Sequence, residues 1–232
     1  MTCCLLVLVV GAAAALYLLS PPVGDAGQRV RALDRRHGVA QAGGPVPRRF
    51  AEAIVASEDS RFYSEPGVDP IGILRAAWFG LTGSGDGGGS TISQQLVKGL
   101  YTGGRSGLRQ DVEQVTLAVK LNLHYSKAQI LRMYAASVYF GHGFYGLHRA
   151  SCGYFGVSPR ALSLAQASML AGLVQAPSAY DPLAHPRLAR ERQHYVLDRL
   201  VATGRISAAH ARRALRAPLG LNASPAARAC SG

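Results

Sequence analysis

Gly88-Gly89-Ser90-Thr91-Ile92-Ser93-Gln94-Gln95-Leu96-Val97-Lys98 decides how this chain is read, because a glycine-rich loop there runs directly into a helix start. Thr91 followed three residues later by Gln94 is a capping-box pattern. The hydroxyl satisfies one exposed helix N–H, and the glutamine amide reaches back to the backbone ahead of it. Free N–H groups at such a start, with the positive end of the helix dipole behind them, favour an anion. Lys98, two turns in, adds a mobile point charge. Taken alone, the same pattern describes an ordinary capped helix with a solvated lysine, so its neighbours in the sequence carry weight.

Upstream, Pro45 to Asp59 predicts a helix in which Phe50, Ile54 and Glu58 recur at intervals of four and share one face. Glu58 therefore continues an apolar stripe, where an ionised carboxylate is costly unless it has a partner or a chemical role. Asp59 projects about 100° away and reads as a structural hydrogen-bond acceptor. Downstream, Leu108 to Tyr125 predicts a second helix with Glu113, Leu117 and Leu121 on one stripe, which puts Glu113 on the inward side. The plainer role for Glu113 is an ion pair with Arg109, four residues earlier. A carboxylate, an anion cradle and a second carboxylate in that order suit sugar transfer from a diphosphate. A glycoside hydrolase offers the same two acids, and spacing along the chain does not separate hydrolysis from transfer.

Glu58-Asp59-Ser60-Arg61-Phe62-Tyr63, Gly88 to Gln95, Arg109-Gln110-Asp111-Val112-Glu113 and Ser126-Lys127-Ala128-Gln129-Ile130-Leu131 resemble successive motifs of the peptidoglycan glycosyltransferases, glycosyltransferase family 51. The likeness continues through Val138-Tyr139-Phe140-Gly141, Tyr154-Phe155-Gly156, Leu170-Ala171-Gly172-Leu173 and Gln175-Ala176-Pro177-Ser178, spanning residues 46 to 206 in the family's order. No stretch resembling a transpeptidase follows within the sequence, so the likeness is to the monofunctional members.

The resemblance implies an all-α, lysozyme-like fold behind an N-terminal transmembrane anchor. It implies an enzyme that polymerises lipid II, the undecaprenyl-diphosphate-linked disaccharide pentapeptide, onto a growing glycan strand. The α-linked donor would yield a β-1,4 product by a single inverting displacement. Glu58 falls where the family places its general base, a role that typically contributes about 10² to 10⁴ in rate. Lys98, Arg109 and the N–H groups around Gly89, Ser90 and Thr91 fall to the leaving diphosphate, with a divalent cation, magnesium or manganese, bridging to Glu113. Gln94 and Gln95 suit sugar hydroxyls, and Asp59 and Phe62 lie in the motif on the substrate side.

Several positions depart from the family pattern. The first motif usually ends in histidine and here carries Glu65; the arginine-lysine pair of the third is Arg109-Gln110. A glutamate becomes Arg132, a leucine-asparagine pair becomes Ala135-Ala136, and a later glutamate becomes Gln166, the first and last suggesting a rearranged internal ion pair. Losing one charge-assisted contact to phosphate weakens binding by about 1.5–3 kcal/mol, and Arg105 is placed to replace it. These departures leave a second reading open, a binding module that holds lipid II or a cell-wall partner without polymerising it. Penicillin-binding proteins and the division or elongation machinery are the partner proteins either reading implies.

Composition fits a membrane-surface protein. A net charge of +12 on 232 residues comes without zinc-ligand spacing, a helix-turn-helix signal or RNA-binding aromatic motifs, so anionic lipid and diphosphate are expected partners and nucleic acid is not. Cys3 to Leu19 is a seventeen-residue apolar run, short for a span but lacking the basic leader of a signal peptide. Arg29, Arg31, Arg35 and Arg36 follow it, and the positive-inside rule then opposes the outward-facing catalytic domain that the family implies. The chain divides on this reading into an anchor at 1–20, a linker at 21–44, a catalytic domain at 45–215 and a tail at 216–232. Pro70 to Leu81 is too short to span a bilayer and suits its interface or the core equally. Cys152 and Cys230 have no metal-ligand spacing; a bridge between them is open outside the cytoplasm, and Cys152 otherwise reads as a small buried residue.

Overall fold

Thr91, Ser126 and Ser163 each open a helix in the same way, the hydroxyl accepting the N–H of Gln94, Gln129 or Gln166 while that glutamine bonds back to the cap. These reciprocal bonds fix the helix starts by sequence, before any tertiary contact. The computed structural model describes residues 11, 14–37, 44–72, 90–105 and 107–222. The helices that build the body are α1 (Ala26–Arg36), α2 (Arg48–Glu58), α3 (Ile92–Leu100), α4 (Leu108–His124), α5 (Lys127–Ser137), α6 (Leu147–Phe155), α7 (Leu164–Leu173), α8 (Pro186–Ala202) and α9 (Ala208–Arg216). Among the described residues the only sheet-like pairing is one isolated bridge, Tyr139 to Tyr145, so the all-α expectation holds.

The helices pack as two groups. One gathers α2, α7, α8 and α9, with α2, α7 and α8 each touching the other two; the other gathers α1, α4 and α5 around α3. Phe50 and Ile54 on α2, Ile92 on α3, Leu117 and Leu121 on α4 and Tyr134 on α5 are almost wholly removed from solvent. Burial of each such apolar side chain contributes about 1.5–3 kcal/mol. Between α5 and α6 the chain reverses sharply at Gly146, whose φ of 78° and close approach to the Ala136 carbonyl leave no room for a β-carbon.

Four expectations change. The stretch expected as a linker, 21–44, contains α1, whose Ala26 and Val30 are buried against the second group. The folded body therefore starts before Pro45. Residues 216–222, expected as the start of a tail, are strapped down: Leu219 is buried, its carbonyl accepts from Gln166 Nε2 at 2.9 Å, and Asn222 N–H donates to the Tyr154 carbonyl at 2.7 Å. Gln166 is thus tied to this strap and not to Arg132, which is exposed. On α4 the buried stripe is Gln114, Leu117, Ala118 and Leu121, which leaves Glu113 beside it and half-buried.

Most of the apolar run at 3–19 lies outside the described residues, as do residues 73–81 of the Pro70 to Leu81 segment. Among the described residues no helix is long and apolar enough to cross a membrane. Cys152 is buried and disulfide-bonded.

Candidate active site

Glu58 is the last residue of α2, on the face that Phe50 and Ile54 bury, and only 8% of its side chain is exposed. Its charge is met from the same helix group: Arg192 of α8 places Nη2 at 3.2 Å from Oε1, and only 11% of that side chain is exposed. The other oxygen, Oε2, accepts from Gln95 Nε2 of α3 at 3.1 Å, and Gln95 Oε1 accepts from the Tyr134 hydroxyl of α5 at 2.6 Å. Arg192 is steadied by the Tyr195 ring, 4.2 Å from its guanidinium carbon. Both carboxylate oxygens are engaged, and the bonds to Glu58 join the two helix groups. A buried charge is tolerated on these terms, with a counter-charge and further hydrogen bonds.

Asp59 turns the other way. It is buried, and its Oδ2 accepts the N–H of Ile92, the first residue of α3, at 3.0 Å. Thr91 N–H goes to Gln94 Oε1, Gln94 N–H to Thr91 Oγ1, and the Thr91 hydroxyl donates to the Gly67 carbonyl at 2.7 Å. The anion held at this helix start is therefore Asp59's own carboxylate. That corrects the expectation of N–H groups at Thr91 open to a diphosphate, and it makes Asp59, Thr91 and Gln94 framework. Phe62 is fully buried, beneath the Lys127 ammonium at 4.6 Å, and is likewise core instead of a substrate contact. Ser90 is exposed beside them, and Gly89 lies outside the described residues.

Gln95 also lines a cavity of about 360 Å³ together with His37, Lys98, Tyr134, Ser137, Tyr139 and Tyr145. The His37 and Tyr145 rings stack at 3.7 Å and 9°. Gln95 thus contributes to this cavity and to the Glu58 cluster, and so stands between Glu58 and the cavity that Lys98 lines.

Arg105 and Arg109 are exposed, in the loop before α4 and on its first turn. Glu113 makes no hydrogen bond or ion pair among the described residues, so the plainer pairing with Arg109 is not formed. Among the described residues no three His, Cys, Asp or Glu side chains gather as a metal site. A magnesium-like ion beside Glu113 would take its remaining ligands from phosphate oxygens and water, which is how that ion commonly binds.

Arg192 and Tyr134 were not foreseen. The sequence carries a signal for Arg192: it lies three residues after Ala189 and four before Val196, both buried, and so shares the inward face of α8.

An all-helical body thus sets a carboxylate with both oxygens partnered one side chain from a cavity lined by a lysine. Residues 26–201 match the family model described as Transglycosylase, and the chain belongs to that family, the peptidoglycan glycosyltransferases. It is 40% identical over 178 residues to a candidate transglycosylase of Cupriavidus necator, covering 77% of each chain. It is 36% identical over 178 residues to penicillin-binding protein 1F of Bacillus subtilis, covering 76% of this chain and 25% of that one. Penicillin-binding protein 1A of Neisseria gonorrhoeae is 40% identical over 159 residues, 68% of this chain and 20% of that one. The chain thus spans most of the first relative and a quarter or less of the other two. A crystal structure of penicillin-binding protein 1A from Haemophilus influenzae aligns with a TM-score of 0.47 at 22% identity, over 80% of this chain and 18% of that one.

Proposed function

We propose that this chain polymerises lipid II into linear β-1,4 glycan strands by inverting glycosyl transfer, on a lysozyme-like domain at 45–215 extended by α1, with release of undecaprenyl diphosphate. The observation that carries the reading is the placement of Glu58: buried, fixed by Arg192 and Gln95, and one side chain away from the cavity that holds Lys98.

In this reading Glu58 takes the proton from the acceptor 4-hydroxyl as that oxygen attacks the donor anomeric carbon. Each carboxylate oxygen has a second lone pair beyond its bond to Arg192 or Gln95, and the two partners hold the group in place for the transfer. Lys98, with exposed Arg105 and Arg109, meets the charge that develops on the diphosphate, and Glu113 with a divalent cation completes that side. Gln110 leaves one cation fewer there than the family pattern has, and Arg105 compensates.

The apolar run at 3–19 anchors the chain in the cytoplasmic membrane with the catalytic body on the outer side. Disulfide bonding at Cys152 supports that orientation against the arginines after the run, because such bonds persist in oxidising compartments. Lipid II, the growing strand and the membrane are then the partners, together with synthases of the elongation or division machinery.

The test is polymerisation of labelled lipid II by the full chain in detergent, with and without Mg²⁺, with products resolved by length. Lysozyme-sensitive chains that disappear in Glu58→Gln support the reading. Retained lipid II binding without chains from the wild type would sink it and leave the binding module.

A further inference from the structure

We propose that Glu65, which stands where the resembling family carries a histidine, serves as a neutral hydrogen-bond donor to Asp59 and is thereby a positioning residue for Glu58 and for the start of α3. The proposal deepens the glycosyltransferase reading above and rests on it for its kinetic part.

The turn after α2 folds the chain back, Glu65 N–H donating to the Arg61 carbonyl at 3.1 Å. Glu65 is thereby buried, with 7% of its surface exposed, and neither carboxyl oxygen meets an N–H or O–H donor. What the carboxyl does have within hydrogen-bonding reach is the carboxyl of Asp59. Two carboxylates cannot hydrogen-bond; the contact exists only when one of them carries a proton. Asp59 Oδ2 is already the acceptor for Ile92 N–H, so the proton belongs on Glu65. A histidine in the family's position supplies an N–H donor. A glutamate matches that only as the acid.

The charged groups around the pair favour the same assignment. Asp69 is tied to Arg61 from the same loop. Lys127 comes from the first turn of α5, yet its buried ammonium sits over the Phe62 ring at 4.6 Å with no hydrogen bond or ion pair among the described residues, and so does not claim Glu65 as a carboxylate. Burial first, and the neighbouring Asp59 charge second, push the Glu65 carboxyl up to about 8, while Lys127 and Arg61 do not reverse the shift. Asp59 itself is raised by burial, and Lys127 is lowered by it.

The route from Glu65 to the chemistry is short. Asp59 is covalently next to Glu58 and pins the head of α3, and Gln95 on that helix holds Glu58 Oε2. When Glu65 loses its proton, two adjacent buried carboxylates repel each other at that joint.

The experiment compares the full chain with Glu65→Gln and Glu65→Ala. Glutamine keeps a donor but cannot ionise; alanine removes both. Near neutral pH, Glu65→Ala is expected to lose about tenfold in kcat with KM little changed, and Glu65→Gln to restore kcat to within about twofold. The wild-type rate falls as pH rises through about 8, and Glu65→Gln lacks that fall. Two readouts do not depend on activity. A carboxyl raised from its ordinary 4.5 to about 8 contributes stability that is fully present below the lower value and is lost through the upper one. The wild-type Tm should therefore decline across that window relative to Glu65→Gln, and infrared difference spectra near neutrality should show a protonated-carboxyl band that this variant lacks. An unchanged alkaline limb in Glu65→Gln, or no such band, overturns the proposal. Failure of every form to polymerise lipid II would refute the function reading, while unfolding and infrared still decide the role of Glu65.

Discussion

Glu58 and Glu113 flank the Thr91 helix in the sequence, and their surroundings differ in kind. Glu58 is buried, its two oxygens are taken by Arg192 and Gln95, and its counter-charge comes from a helix 134 residues away. Glu113 is half-buried on α4 and has no hydrogen-bonding or ionic partner among the described residues. A group meant to accept a proton in a fixed direction gains from being locked before the substrate arrives. A group meant to hold a cation that arrives with a diphosphate gains from remaining unspent. In the function proposed above, the folded chain supplies one acid complete and leaves the other for its ligand to complete.

The widest way to break the contrast is Glu58→Gln, which keeps the shape and removes the proposed base. Polymer formation should drop by about 10² to 10⁴ while lipid II still binds, read as chain yield against bound labelled substrate. Arg192→Ala comes next. It leaves a buried carboxylate without its counter-charge and should cost about 3–5 kcal/mol in denaturant unfolding. Adding Glu58→Gln to that variant should recover much of the loss, because a neutral amide needs no guanidinium. Gln95→Ala strips one bond from Glu58 and one from Tyr134 and should destabilise by about 1–3 kcal/mol in the same assay. Glu113→Gln should have the smallest effect on stability, within about 0.5 kcal/mol, since it breaks no hydrogen bond or ion pair among the described residues. Its signature is kinetic: the response of polymerisation to added Mg²⁺ should flatten, and an undiminished response would remove Glu113 from the cation site.

The features legible in the sequence were those governed by short range. The Thr91–Gln94 capping box is formed, and the Phe50, Ile54, Glu58 stripe is buried as its spacing required. Helix α2 begins at Arg48 behind Pro47, three residues after the expected start, and α4 ends at His124, one residue before its expected end. What escaped was set by contacts distant in sequence. Arg192 reads as one of many arginines until α8 brings it beneath Glu58. The α3 start looked open to an outside anion because nothing in the spacing shows that Asp59, 33 residues upstream, returns to fill it. Helix α1 lies in a stretch whose glycines, prolines and arginines resemble a linker, and at 11 residues it is too short to hold without tertiary bonds.

Those bonds turn a tether into a strut. The Tyr101 hydroxyl donates to the Asp25 carboxylate at 2.8 Å, the Tyr125 hydroxyl to the Gly24 carbonyl at 2.8 Å, and the Lys120 ammonium to the Ser20 carbonyl at 2.8 Å, so the chain from Ser20 onward is fastened to α3, α4 and their flanking turns. In the membrane arrangement proposed above, the stand-off between the bilayer and Glu58 is then a built-in length. Such an enzyme would meet its lipid-linked sugar at a single height and would feed the finished strand outward from the same level at every turn of synthesis.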